Sequence, residues 1–108
     1  MLQPSNGKNI KIRKGNPLDE PMFVWTPITP TPMEGYTLKI VEIIGEQSAD
    51  NAMKTNKPYF IQDNINSTSF QYPVSAKQLE DGKKYAWQVS TNGNTGYKTT
   101  YYLLIKRN

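Results

Sequence analysis

The stretch Leu79-Glu80-Asp81-Gly82-Lys83-Lys84-Tyr85-Ala86-Trp87-Gln88-Val89 constrains the fold of this chain more than any other. An apolar residue closes a loop, a glycine makes a tight turn, and an alternating strand follows. Side chains alternate along a strand, so Tyr85, Trp87 and Val89 share one face and belong to a core. A buried strand entered through a Leu-x-x-Gly-x-x-Tyr turn is one way to build the edge of a two-sheet β-sandwich.

The rest of the chain is patterned to match. Residues 9–14 alternate Ile10 and Ile12 with Lys11 and Arg13, a half-exposed strand broken by Gly15-Asn16-Pro17. Pro21 to Pro27 is a second strand with Phe23 and Trp25 on one face, its prolines suiting an edge or a strand end. Pro30 and Pro32 stiffen the loop that follows. Residues 36–44 form the most apolar strand. Tyr36, Leu38 and Ile40 point one way, Val41 and Ile43 the other, so this strand either bulges near Val41 or is buried on both faces.

Ser48 caps a short helix near residues 48–55 that lays Ala52 and Met53 on the sandwich, with Asn56 suited to a left-handed exit. A strand over 58–62, a turn over 63–66 and a strand over 67–72 come next. Ser75 is placed to cap a single turn over 76–79. The Tyr85 strand, a hairpin turn at Asn92-Gly93-Asn94-Thr95-Gly96 and a last strand over 97–106 complete the set. The expectation is an all-β, seven-stranded, two-sheet sandwich with one helical insert.

The 108 residues make a single domain over 1–108, with 1–8 as an extended lead-in. With no cysteine there is no disulfide, thiolate nucleophile or cysteine-held zinc. With no histidine the usual general base near neutral pH is missing, as is the commonest metal ligand. The net charge of +4 comes from dispersed cations. Only Lys8, Lys11, Arg13 and Lys14, and the pair Lys106 and Arg107, are grouped along the chain. A solvated surface accounts for them, with an anionic-partner patch as the alternative. No run of about 20 apolar residues crosses a membrane. No signal peptide is visible, which points to the cytosol or to a module cut from a longer protein; the latter is preferred.

Taken in order, these pieces resemble the fibronectin type III superfamily over nearly the whole chain. Trp25 stands where such domains keep a core tryptophan on the second strand. Tyr36-x-Leu38-x-Ile40 matches their third strand, and Gly96 falls near the glycine of their final hairpin. Leu79 to Tyr85 is similar to the tyrosine corner, whose hydroxyl bonds back to upstream backbone. Leu2-x-Pro4-x-Asn6-Gly7, Pro21-x-Phe23-x-Trp25-x-Pro27 and Gly45-x-Gln47-Ser48-x-x-x-Ala52 carry a narrower resemblance. It is to sandwich modules of bacterial secreted or envelope proteins, especially from Bacteroidetes. The helical insert departs from animal fibronectin modules, and no Arg-Gly-Asp loop is present, so cell adhesion is not carried over.

The resemblance implies a non-catalytic module, outside the cell or in its envelope, that spaces other domains or contacts a protein. A carbohydrate-binding accessory module and a fragment of a multidomain enzyme are the alternatives. The expected partners are neighbouring domains of a longer chain or another protein, with a glycan as the alternative; neither nucleic acid nor membrane insertion is expected. No catalytic, cofactor-binding or metal residue is assigned, and no cofactor.

Trp25 and Trp87 suit a sugar-stacking platform, but their parity assigns them to the core. Tyr97, Tyr101 and Tyr102 cluster on the last strand, so one parity faces out, beside Lys98. That strand is also a candidate edge for a partner strand, discouraged by Lys106 and Arg107. Glu34, Glu42 and Glu46, or Asp19 and Glu20, are the carboxylates a glycosidase would need, without the cleft to hold them. Asp63, Asn64 and Asn66 offer too little charge for calcium. Asn66-Ser67-Thr68 fits an N-glycosylation sequon.

Overall fold

The computed structural model describes residues 7–12, 19–27, 34–91 and 98–107, with side chains at all of these except 8, 9, 98, 99 and 107. Seven strands and one helix fall within them: β1 (Lys8–Ile12), β2 (Met22–Val24), β3 (Tyr36–Ile43), α1 (Ala49–Thr55), β4 (Pro58–Ile65), β5 (Ser69–Gln71), β6 (Lys84–Thr91) and β7 (Lys98–Arg107). They form a five-stranded sheet in the order β1-β7-β6-β3-β4 and a two-stranded sheet of β2 and β5. Every pairing is antiparallel except β1 with β7. The chain is thus all-β in two sheets with a single short helix among the described residues. The final hairpin turn, Tyr97, the proline loop at 30–32 and the breaker at 15–17 lie outside the described residues.

The two sheets meet across one apolar core. Phe23 of β2 packs edge-on against Trp87 of β6, ring centroids 5.0 Å apart, and Trp25 meets Tyr36 at 5.6 Å. Leu38, Ile40, Tyr85, Val89, Leu103 and Ile105 line the large sheet's inner face, as their alternation predicts. Both indole N–H groups, of Trp25 and of Trp87, are buried without a hydrogen-bond partner.

Of the two alternatives at Val41, β3 is buried on both faces and does not itself bulge. Against β6, β3 runs in unbroken register from Tyr36–Thr91 to Ile43–Lys84. The outward Val41 and Ile43 are therefore buried, and what buries them is α1: Ala52 and Met53 pack on Val41, Ile43 and Ala86 in a second apolar cluster. The bulge is on the neighbouring strand. Ile40 pairs with Phe60 but Val41 with Pro58, which leaves Tyr59 as the extra residue. Consecutive Tyr59 and Phe60 can then both pack on the core.

Four local expectations are corrected. Asn56 ends α1 in an extended conformation (φ −94°), not a left-handed one. Its amide donates instead to Glu42 O and Gln47 Oε1, each at 2.7 Å, which ties the helix end to the sheet. Strand β4 runs on through the supposed turn to Ile65, with Asn64 in the left-handed region (φ 59°) at a second register shift. No helical turn covers 76–79; the turn comes earlier, closed by the Ala76 N–H on Pro73 O. Finally, β7 is no edge, because β1 and β6 flank it.

The segment from Tyr72 to Tyr85 crosses from the small sheet to the large one and is pinned by three phenols. The hydroxyls of Tyr72 and Tyr59 donate to Lys77 O and Gln78 O. The hydroxyl of Tyr85 accepts the Glu80 backbone N–H at 2.8 Å. Fully buried Leu79 lies between those anchors.

Candidate interaction surface

The inner faces of both sheets are committed to packing, so any binding surface lies outside them. Trp25 and Trp87 are 2% and 0% exposed and offer no platform. Tyr101 also turns inward and packs on Trp87 at 5.2 Å. Tyr102, on the opposite parity, is 37% exposed on the outer face of the large sheet beside Gly7, whose N–H donates to Tyr102 O. Of the three tyrosines singled out, the structure packs one, partly buried, against the core and puts one on the surface; Tyr97 lies outside the described residues.

The carboxylates are not brought together. Glu42 accepts from Lys83 Nζ at 3.1 Å, and that hydrogen bond, reinforced by the carboxylate's charge, holds the Lys83 ammonium above its ordinary pKa. Glu34 stands before the start of β3 and Glu42 near its end, a strand length away. Asp63 accepts the Thr37 hydroxyl at 2.9 Å. Among the described residues no three acidic side chains gather as a metal site would need. Asn66 and Ser67 of the sequon are exposed in the turn between β4 and β5.

Two concavities border α1. One, about 510 Å³, is lined by Glu42, Ile44, Asn56, Lys57, Tyr59 and Lys77. Its aromatic ring is already engaged: the Lys77 ammonium sits 4.5 Å above the Tyr59 centroid, and Tyr85 packs on the same ring at 5.0 Å. The other is a groove of about 710 Å³ with Lys39, Gln88 and Thr100 on its sheet floor and Asp50, Met53 and Lys54 on its helix wall. Gln88 donates to Thr100 Oγ1 at 3.1 Å, and Lys39 Nζ reaches Met53 O at 3.4 Å.

That groove opens onto a face whose charge the linear sequence hides. The outward positions of the large sheet include Lys11 on β1, Lys39 on β3, Lys84 on β6 and Lys106 on β7. Lys11 and Lys106 are direct neighbours in the β1–β7 register. Grouping by position in the chain finds Lys11 and Lys106 in separate clusters; only strand pairing joins them. The signal was present as outward parity, but it needs the strand order before it adds up.

No protein-family model matches this chain, and neither do any curated protein or solved structure.

Proposed function

We propose that this chain is a non-catalytic β-sandwich module of the fibronectin type III kind, carried by a larger secreted or surface bacterial protein. It acts there as a spacer or as a protein-contacting domain. The observation that carries this reading is the corner before β6. Tyr85 sits at the start of that strand, and its hydroxyl returns to the backbone five residues upstream, at Glu80 N. A tyrosine corner makes a hydrogen bond of this kind, from the phenol back to backbone a few residues upstream, and that likeness supports the reading. The layout supports the reading too, since β2 and β5 face a sheet in which β6 lies between β3 and β7.

A domain exchange in the parent protein tests this. Residues 1–108 are replaced by an unrelated sandwich of matched end-to-end span, and secretion and activity of the parent are measured. A spacer predicts that both survive the exchange. A protein-contacting module predicts that the parent stays folded but loses one partner in a pull-down. Hydrolytic activity that depends on these residues and appears only when they are joined to a neighbouring domain would overturn the proposal.

A further inference from the structure

We infer that the outer face of the five-stranded sheet is a docking surface for an acidic polysaccharide, held by lysines that strand pairing gathers there from distant parts of the chain. The inference goes beyond the module reading, because it rests on charge placement and holds whichever family the sandwich belongs to. Lys11, Lys39, Lys84 and Lys106 project from four different strands of this face, and Lys54 of α1 adds a fifth charge. Their acidic neighbours on the face are Asp50, in the helix wall, and Asp63, hydrogen-bonded to Thr37. The remaining described acids lie in turns, at strand ends or, for Glu42, in the ion pair with Lys83. Lys83–Glu42 is the ion pair seen among the described residues, and it leaves all five lysines of the face out.

The pairing of Lys11 with Lys106 is informative because it is unfavourable. Like charges directly across a strand pair destabilise a sheet, and a surface under no other demand tends to alternate signs. Much of the chain's +4 charge is thereby presented on one side. A face that concentrates one sign attracts a partner of the other.

Geometry selects the partner's shape. Lys39 is level with Thr100 in the register, while Lys106 lies six residues further along β7, about 20 Å at strand rise. No single small anion spans that distance; a chain does. The path between the two ends runs along the outward side of β7, over Thr100, Tyr102 and Leu104, beside α1. A helix with side chains is about 10 Å across, so α1 stands proud of this path as a wall. A flat lipid surface is held away from Lys39 and Gln88 by that wall, whereas a thin polymer reaches them.

Chemistry selects the polymer. Single-stranded nucleic acid wants several aromatic rings on which successive bases stack. The described aromatic on the outward side of β7 is Tyr102, since Tyr101 is turned to the core. Level with Lys39 and just beyond it lie neutral hydrogen-bonding groups, Gln88 and Thr100 and then Thr37 and Ser90, which suit a ligand that carries hydroxyls beside its carboxylates.

The test uses the whole chain and four probes at matched salt: polygalacturonate, uncharged dextran, oligo-dT, and phosphatidylglycerol vesicles. Polygalacturonate is expected to bind most tightly, with affinity falling by at least about tenfold as salt rises from about 50 to about 200 mM, as screening of a multi-charge contact requires. Amide shifts should move at Lys39, Gln88, Thr100 and Tyr102. The double variants Lys11→Glu/Lys106→Glu and Lys39→Glu/Lys84→Glu should each weaken binding at least about tenfold, and the matching Lys→Gln pairs less strongly in the same direction. Lys57→Glu/Lys77→Glu, off this face, should leave it within about twofold. Tighter binding of oligo-dT or of vesicles, equal binding of dextran, equal loss in the off-face variant, or no binding to polygalacturonate would each overturn the inference. The module reading is tested separately by the domain exchange in the parent protein, so the two can fail independently.

Discussion

Trp87 sits between Phe23 and Tyr101 with its indole N–H unpartnered, so apolar packing alone keeps it in place. Truncating a buried tryptophan costs transfer energy plus the cavity it leaves, so Trp87→Ala should lower the unfolding free energy by about 3–5 kcal/mol in urea melts. An unchanged midpoint would remove Trp87 from the core. Tyr85 makes a subtler prediction. Burial pushes its phenol well above the ordinary value of 10.0, with the Glu80 backbone hydrogen bond opposing the shift. The unfolded chain ionises first as pH rises. The stability that Tyr85 contributes is therefore complete below pH 10 and is lost as pH climbs from there toward the folded-state value. Tyr85→Phe removes this titration along with a hydrogen bond of about 0.5–1.5 kcal/mol. The stability gap between wild type and variant should thus be widest at neutral pH and close in melts taken above pH 10. A gap that stayed constant with pH would mean that the phenol ionises equally well in both states.

At the scale of elements, the best-read parts were those in which local pattern and burial coincide. The alternation of Tyr85, Trp87 and Val89, the Ser48 cap, and the Ala52–Met53 face each follow from a few adjacent residues, and each is found in place. The errors fall where a distant partner decides. Asn56 has the chemistry for a left-handed exit, but Glu42 O and Gln47 Oε1 capture its amide and hold the backbone extended. Residues 63–66 look like a turn because Asp and Asn favour turns, yet pairing with β3 carries the strand through to Ile65, with Asn64 absorbing the irregularity. The candidate surface was illegible for the same reason, since outward parity says nothing until neighbours are known. Asn56 also offers a test of how the helix is attached. Asn56→Ala should speed amide exchange of Ala52 and Met53 by about five- to thirtyfold, in keeping with the loss of a hydrogen bond or two of about 1 kcal/mol each, and leave β6 protected. Loss of protection in β6 as well would mean that α1 and the sandwich unfold as one unit.

For the molecule as a whole, the same lysines shape both stability and the proposed contact, and the two pull in opposite directions. Lys11 and Lys106 are neighbours across the parallel β1–β7 pair and repel, which costs stability relative to a neutral pair. Lys106→Glu turns that repulsion into attraction and takes a charge from the outer face. The variant should therefore melt higher than wild type at low salt. The gain should fade toward about 1 M salt, where the screening length falls to about 3 Å. The same substitution should weaken polygalacturonate binding. That combination separates the proposal from ordinary damage, because a variant that binds less while folding better has not lost binding through unfolding. Lysines at a sheet edge also discourage pairing with another chain, and β1 is an edge, so it is the loss of polygalacturonate binding, and not the pair by itself, that speaks for an anionic partner. If Lys106→Glu lowered the melting temperature at low salt, the repulsion would already be relieved by another charge, and the argument from an unfavourable pair would fall with it.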